Sequence, residues 1–210
     1  MSGIVFSSFE TEVELLVLED YLDILDSQLP SLLKRERELI WKDVNPDKQY
    51  AEDAALWRQR YLDDGISIRF LTAAAVVGIW AEYEATITRL AEYLRATRVP
   101  TAAPFRPRDF VVDAEKYFTD TLGLYLHPPD ADRTRLKALQ AVRNALAHAN
   151  GRLADVPPRK REVVEKVAQK ECDLIIRDGY LIASRKYARA ALAFVRQLLD
   201  ELTARVSSGN

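Results

Sequence analysis

Cysteine occurs once in the 210 residues, at Cys172, so no internal disulfide framework can be drawn. Histidine is almost as scarce. His127 and His148, even with that one cysteine, are too few to furnish a zinc site. Glycine appears only seven times, while Ala, Leu, Glu and Arg crowd long stretches, a composition that disfavours an all-β chain. No uninterrupted apolar run approaches the ~20 residues that span a bilayer. Met1, Ser2 and Gly3 lead quickly to Glu10, Glu12 and Glu14, without the basic start and apolar stretch of a secretory signal. The expectation is a cytoplasmic protein with no membrane partner. Glycine-rich phosphate loops, a nucleophile elbow, paired-cysteine metal sites and His-Glu-x-x-His are all missing, so neither a metal nor a cofactor is expected.

What is present suits a helical core. Apolar residues make up 48% of the chain, enough to bury a sizeable interior in one domain over residues 1–210. Net charge is −2, but residues 1–130 hold 14 Lys/Arg against 23 Asp/Glu, and residues 131–210 hold 16 against 9. Such asymmetry fits either a polyanion partner on the basic side or ordinary solvated helix faces.

Ser7 and Ser8 can cap a helix beginning near Phe9. Leu15, Leu18, Leu22, Leu25 and Leu29 then recur at spacings of three and four, as one buried helix face requires. Pro30 either kinks this helix or separates it from a segment ending near Trp41. Asn45-Pro46-Asp47 reads as a turn, followed by a helix from about Lys48 to Leu62 that Asp63, Asp64 and Gly65 close. The strongest helical signal spans Ile66 to Arg95. There Ala73, Val76, Trp80, Tyr83, Ile87, Leu90 and Leu94 form the stripe of a central bundle helix. Glu84 lies beside that stripe and is expected to make a salt bridge or local hydrogen bond supporting its neighbours.

Pro100, Pro104 and Pro107 mark a connector. A helix from Phe110 to Leu122 follows, then a break at His127-Pro128-Pro129, where His127 belongs to a loop. The next helix covers about residues 131–149. After Pro157-Pro158 comes a short basic helix from Arg159 to about Lys170. Two β-favouring runs around Asp178-Gly179 predict a hairpin over about residues 173–184. Ala188, Ala191, Val195, Leu198 and Leu202 then line a final helix.

One stretch carries chemistry: Arg143-Asn144-Ala145-Leu146-Ala147-His148, shortly before Gly151, which suits a helix C-terminus. Arg143 presents a planar fork of donors matched to phosphate. His148 can exchange a proton near neutral pH, and Asn144 can orient a side chain or a phosphate oxygen. These are the minimum parts for metal-independent phosphodiester cleavage in which the substrate's own 2′-hydroxyl attacks. Geometry is the difficulty. At ~100° per residue Asn144 and His148 share a face, whereas Arg143 and His148 stand ~140° apart. In one straight helix they would not converge well; they could meet if the helix tightens or ends near His148, or if a symmetric partner completes the site.

The Arg-x4-His spacing, with a polar residue after the arginine, resembles the signature of HEPN domains. The Tyr83-Glu84 central helix, the Tyr117-Phe118 helix and the later hairpin and final helix agree with that resemblance. What it implies is an all-α HEPN-like bundle with a small β-hairpin before the C-terminal helix, often a homodimer. It further implies metal-independent endoribonuclease activity in a toxin or antiviral-defence role, with an antitoxin or defence-system partner protein. Arg143 and His148 would be catalytic and Asn144 would assist. Some antitoxin-paired members carry a tyrosine two residues after the histidine; Asn150 stands there instead, which argues against that subgroup.

Under this reading Arg133, Arg135, Lys137, Arg152, Arg159, Lys160 and Arg161 would hold the RNA backbone electrostatically. Two other readings compete. One is a non-catalytic HEPN module binding RNA, a nucleotide or a partner protein. The other is a structural helical dimer in which Arg143 and Asn144 satisfy each other across an interface.

Overall fold

The computed structural model describes residues 8–42, 53–56, 58, 66–126 and 130–207. In chain order these form α1 (Ser8–Lys42), α2 (Ile66–Arg98), α3 (Phe110–Asp120), α4 (Asp130–Ala149), α5 (Pro158–Lys170), β1 (Leu174–Arg177), β2 (Tyr180–Ala183) and α6 (Arg185–Ser207). The fold is all-α with one antiparallel hairpin before the last helix, as expected from the sequence. The expected turn at Asn45-Pro46-Asp47, the ends of the helix expected over Lys48–Leu62, its stop at Asp63-Asp64-Gly65, and His127 with its two prolines lie outside the described residues.

The helix α2 is central because it is apolar on nearly every side. Val76, Ile79, Trp80, Tyr83 and Ile87 have no exposed surface, and α1, α4 and α6 pack around them. Its length and composition would also suit a membrane span, and half of its most apolar stretch is buried inside the bundle. The Trp80, Tyr83 and Phe110 rings meet at 5.4, 6.2 and 5.9 Å between centroids, joining α2 to α3 in tilted and edge-on contacts.

Pro30 does not end α1, which runs through it as one helix. A helical proline costs ~3 kcal/mol or more, and burial of Leu22, Leu25, Leu29 and Ile40 on either side of it offsets that loss. Ion pairs tie the exposed flank of α1 to α6. Arg189 reaches Asp23 and Asp26 at 2.6 Å each, Arg185 reaches Asp26 at 2.7 Å, and Arg196 reaches Glu19 at 2.8 Å. Part of the acidic-to-basic asymmetry along the chain is therefore pairing between its own two ends.

The hairpin register sets Leu174 opposite Ala183 and Arg177 opposite Tyr180. Asp178 and Gly179 form its turn with φ of 50° and 78°, the conformation that Asp-Gly accommodates best. β2 also fixes the end of α4. Asn150 and Gly151 take φ of 48° and 77°, the Gly151 amide returns to the Ala145 carbonyl at 3.0 Å, and the Leu181 amide donates to the Gly151 carbonyl at 2.7 Å.

Candidate functional site

The motif helix α4 has two faces. Leu136, Leu139, Val142 and Leu146 are buried. Lys137, Gln140, Asn144 and His148, at spacings of three and four, line an open groove together with Ala141, Ala145 and Ala149. Arg143 sits at the boundary of the two faces and is half-buried.

A cavity of about 740 Å³ lies between α2, α4, the connector before α3 and the start of α5. Arg143, Asn144 and His148 all line it, together with Glu84 and Lys160. The ~140° separation on the helix does not prevent convergence, because the arginine is long enough to reach around the helix into the space that His148 borders. α4 ends at Ala149, one residue after His148, and a single chain brings the three residues to one cavity.

Arg143 is held by two neighbours. Its Nη1 donates to Asn144 Oδ1 at 2.9 Å, and its Nη2 donates to Glu84 Oε2 at 3.3 Å across the α2–α4 interface. The expected salt bridge of Glu84 therefore falls on the motif arginine. The Nε of Arg143 is buried and has no hydrogen-bond partner. The guanidinium is oriented by two acceptors, and each terminal nitrogen keeps one further N–H as a donor.

The other basic candidates separate by position. Lys160 lines this cavity, while Lys137, Arg159 and again Lys160 line an adjoining one. Arg133 pairs with Glu115 at 2.8 Å, and Arg135 lies 4.3 Å over the Phe194 ring and donates to the Ala190 carbonyl. Arg152 faces Asp155 at 3.9 Å, and Arg161 donates to the Ala154 and Val156 carbonyls, tying down the turn before α5. These four line neither cavity. Their charge is legible in sequence, but their direction is set by the partners they meet.

Arg108 and Gln140, which line both cavities, were not among the sequence candidates. Gln140 was within reach, since it lies three and four residues before Arg143 and Asn144. Arg108 was not, because it comes from the proline-rich connector. Its placement depends on Asp113, whose Oδ2 accepts from the Arg108 and Asp109 amides at 2.6 and 2.9 Å. Those two amides hold the Asp113 carboxyl below its usual range. Tyr117 secures the same connector by donating to the Ala103 carbonyl at 2.8 Å.

At the α1–α2 side of the cavity, Arg89 donates to Glu14 at 3.0 Å and to Glu82 at 2.9 Å. Burial, followed by the hydrogen bond to Glu14, pushes the Glu82 carboxyl up to about 7. Glu14 is held below its usual range, first by that shared hydrogen bond and then by Arg89. Of the two carboxyls Glu82 is thus the more readily protonated, and Arg89 is engaged by both. Among the described residues no group of three or more His, Cys, Asp or Glu is placed to hold a metal ion.

Comparison with known proteins finds no match: no family model, no curated protein and no solved structure is significantly similar to the chain.

Proposed function

We propose that this chain is a metal-independent endoribonuclease of the HEPN type. The observation that carries the reading is the convergence of Arg143, Asn144 and His148 on one cavity, with Glu84 anchoring the arginine from another helix. In the proposed reaction the 2′-hydroxyl oxygen attacks the adjacent phosphorus as its proton departs. A 2′,3′-cyclic phosphate forms, the bond from phosphorus to the 5′ oxygen breaks, and that oxygen takes up a proton. His148 carries one of these proton transfers, Arg143 clamps the phosphate as charge gathers on it, and Asn144 orients the arginine. Arg108 and Lys160 supply further positive charge along the cavity. The proposal includes a cytoplasmic homodimer in a toxin or defence setting, with RNA as substrate and an antitoxin or defence-system protein as partner.

The test incubates purified protein with mixed RNA in excess chelator, beside Arg143→Ala and His148→Ala. Cleavage by the wild type that both substitutions abolish supports the reading; equal cleavage by all three sinks it. A second reading, a non-catalytic module binding RNA, a nucleotide or a protein, is favoured by one observation: both terminal nitrogens of Arg143 already have acceptors within the chain. Under it no RNA is cleaved, salt-sensitive RNA binding survives His148→Ala, and charge reversal at Arg108 and Lys160 abolishes that binding.

A further inference from the structure

Asn144 and His148 border two cavities rather than one. The second, about 460 Å³, opens on the other side of them between α4 and the start of α5. Its volume is within the ~300–1,000 Å³ typical of small-molecule sites. Its walls differ from those of the first. Ala141 and Ala145 of α4, Val156 and Pro157 of the turn, and Val163 of α5 give it an aliphatic floor and side. Asp109 and Asp155 stand at its exposed rim beside Arg108, Lys137, Arg159 and Lys160, so the rim carries both signs of charge.

We infer that this second cavity is a subsite for one unstacked nucleobase of the substrate. The inference rests on the reading of Arg143 and His148 as a phosphate-cleaving centre and names how that centre selects its substrate. Three physical points support it. A phosphodiester held at Arg143 and His148 leaves its neighbouring nucleoside beside the residues the two cavities share, Arg108, Gln140, Asn144, His148 and Lys160. Single-stranded RNA is recognised by splaying bases out of the stack into slots where the ring is covered and polar groups meet its edge. The rim offers acceptors at Asp109 and Asp155 and donors at Arg108, Lys137, Arg159 and Lys160, so it can meet both the amino groups and the carbonyl oxygens of a base edge.

Binding measurements on the full chain test this without relying on turnover. The probes are inorganic phosphate, ribose 5-phosphate, cytidine 3′-monophosphate and uridine 3′-monophosphate, titrated calorimetrically. The cytidine and uridine nucleotides are each expected to bind at least tenfold more tightly than ribose 5-phosphate. Ala141→Leu adds bulk to the half-buried floor and narrows the space for a base. It should erase the advantage of the base and leave phosphate affinity unchanged. The subsite is overturned if the nucleotides bind no better than ribose 5-phosphate, or if Ala141→Leu weakens phosphate and nucleotide by the same factor. Failure of the underlying reading is distinct: phosphate affinity would then be indifferent to Arg143→Ala, whatever the bases do.

Discussion

Replacing Glu84 by glutamine removes one charge and little else, so it isolates what holds Arg143. Glu84 Oε2 and Arg143 Nη2 stand 3.3 Å apart on side chains that keep 29% and 20% of their exposure. At that separation and an effective dielectric constant of about 20, the gross attraction is about 5 kcal/mol. Partial desolvation of both ions opposes most of it, leaving about 1–3 kcal/mol for a charge-assisted hydrogen bond. Glutamine still offers an oxygen and both groups keep some water, so the stability loss should be about 1 kcal/mol. For a chain of this size that is a fall of roughly 2–4 °C in Tm. The effect on turnover should be larger. Without the α2 anchor, Arg143 is held only by Asn144 at 2.9 Å, its neighbour on the same helix. Losing about 1.4 kcal/mol of transition-state stabilisation through misorientation lowers the rate tenfold. Under the ribonuclease reading, kcat should fall at least tenfold with KM nearly unchanged, measured on a fluorogenic oligoribonucleotide in excess chelator. Glu84→Asp, one methylene shorter, should recover only part of that loss. Unchanged kcat would refute a positioning role for Glu84. A collapse of the melting transition would show instead that the pair serves only to hold α2 against α4.

Three further outcomes follow from the same structure. The Glu82 carboxyl sits at about 7 against an ordinary value of 4.5, so between those values the folded state holds a proton that the unfolded state has released. Stability from this site is present at low pH and is lost as pH rises through 7. Glu82→Gln should therefore flatten the pH dependence of chemical denaturation in that window and be at least as stable as wild type at pH 8; a steeper dependence would contradict the assignment. At Gly151, φ is +77° and an added Cβ would stand 2.6 Å from the Leu181 carbonyl oxygen. Gly151→Ala should cost about 2 kcal/mol or more, seen as a Tm drop of roughly 4–8 °C, and a neutral result would refute the packing of β2 against the end of α4. Arg135 lies over Phe194 and outside both cavities, whereas Arg108 lines both. In salt titrations of RNA binding, Arg108→Ala should reduce the slope by ~0.7 for a single-stranded ligand and Arg135→Ala should not change it.

The helices, the hairpin and the motif were legible because each is written in local spacing. Leucines at three and four residues mark the buried face of α1, Asp178-Gly179 can take the left-handed backbone of a tight turn, and Gly151 can end α4 where a Cβ would collide. The continuation of α1 through Pro30 was not legible, since it depends on what buries the residues on either side. Nor were the fates of the arginines. Arg133 to Glu115 and Arg135 to Phe194 are contacts between helices, and periodicity within one helix says nothing of which neighbour a long side chain will meet.

The site shows the same division. Sequence alone determined that Arg143, Asn144 and His148 share one helix end, because residues this close on a helix cannot be far apart in space. Only the tertiary structure decided that they share a cavity, that Arg108 arrives there from a proline-rich connector, and that Glu84, 59 residues away, holds the arginine. The reason is physical. Backbone propensity and apolar period act over a few residues, whereas which two helices press together is settled by the fit of the whole core.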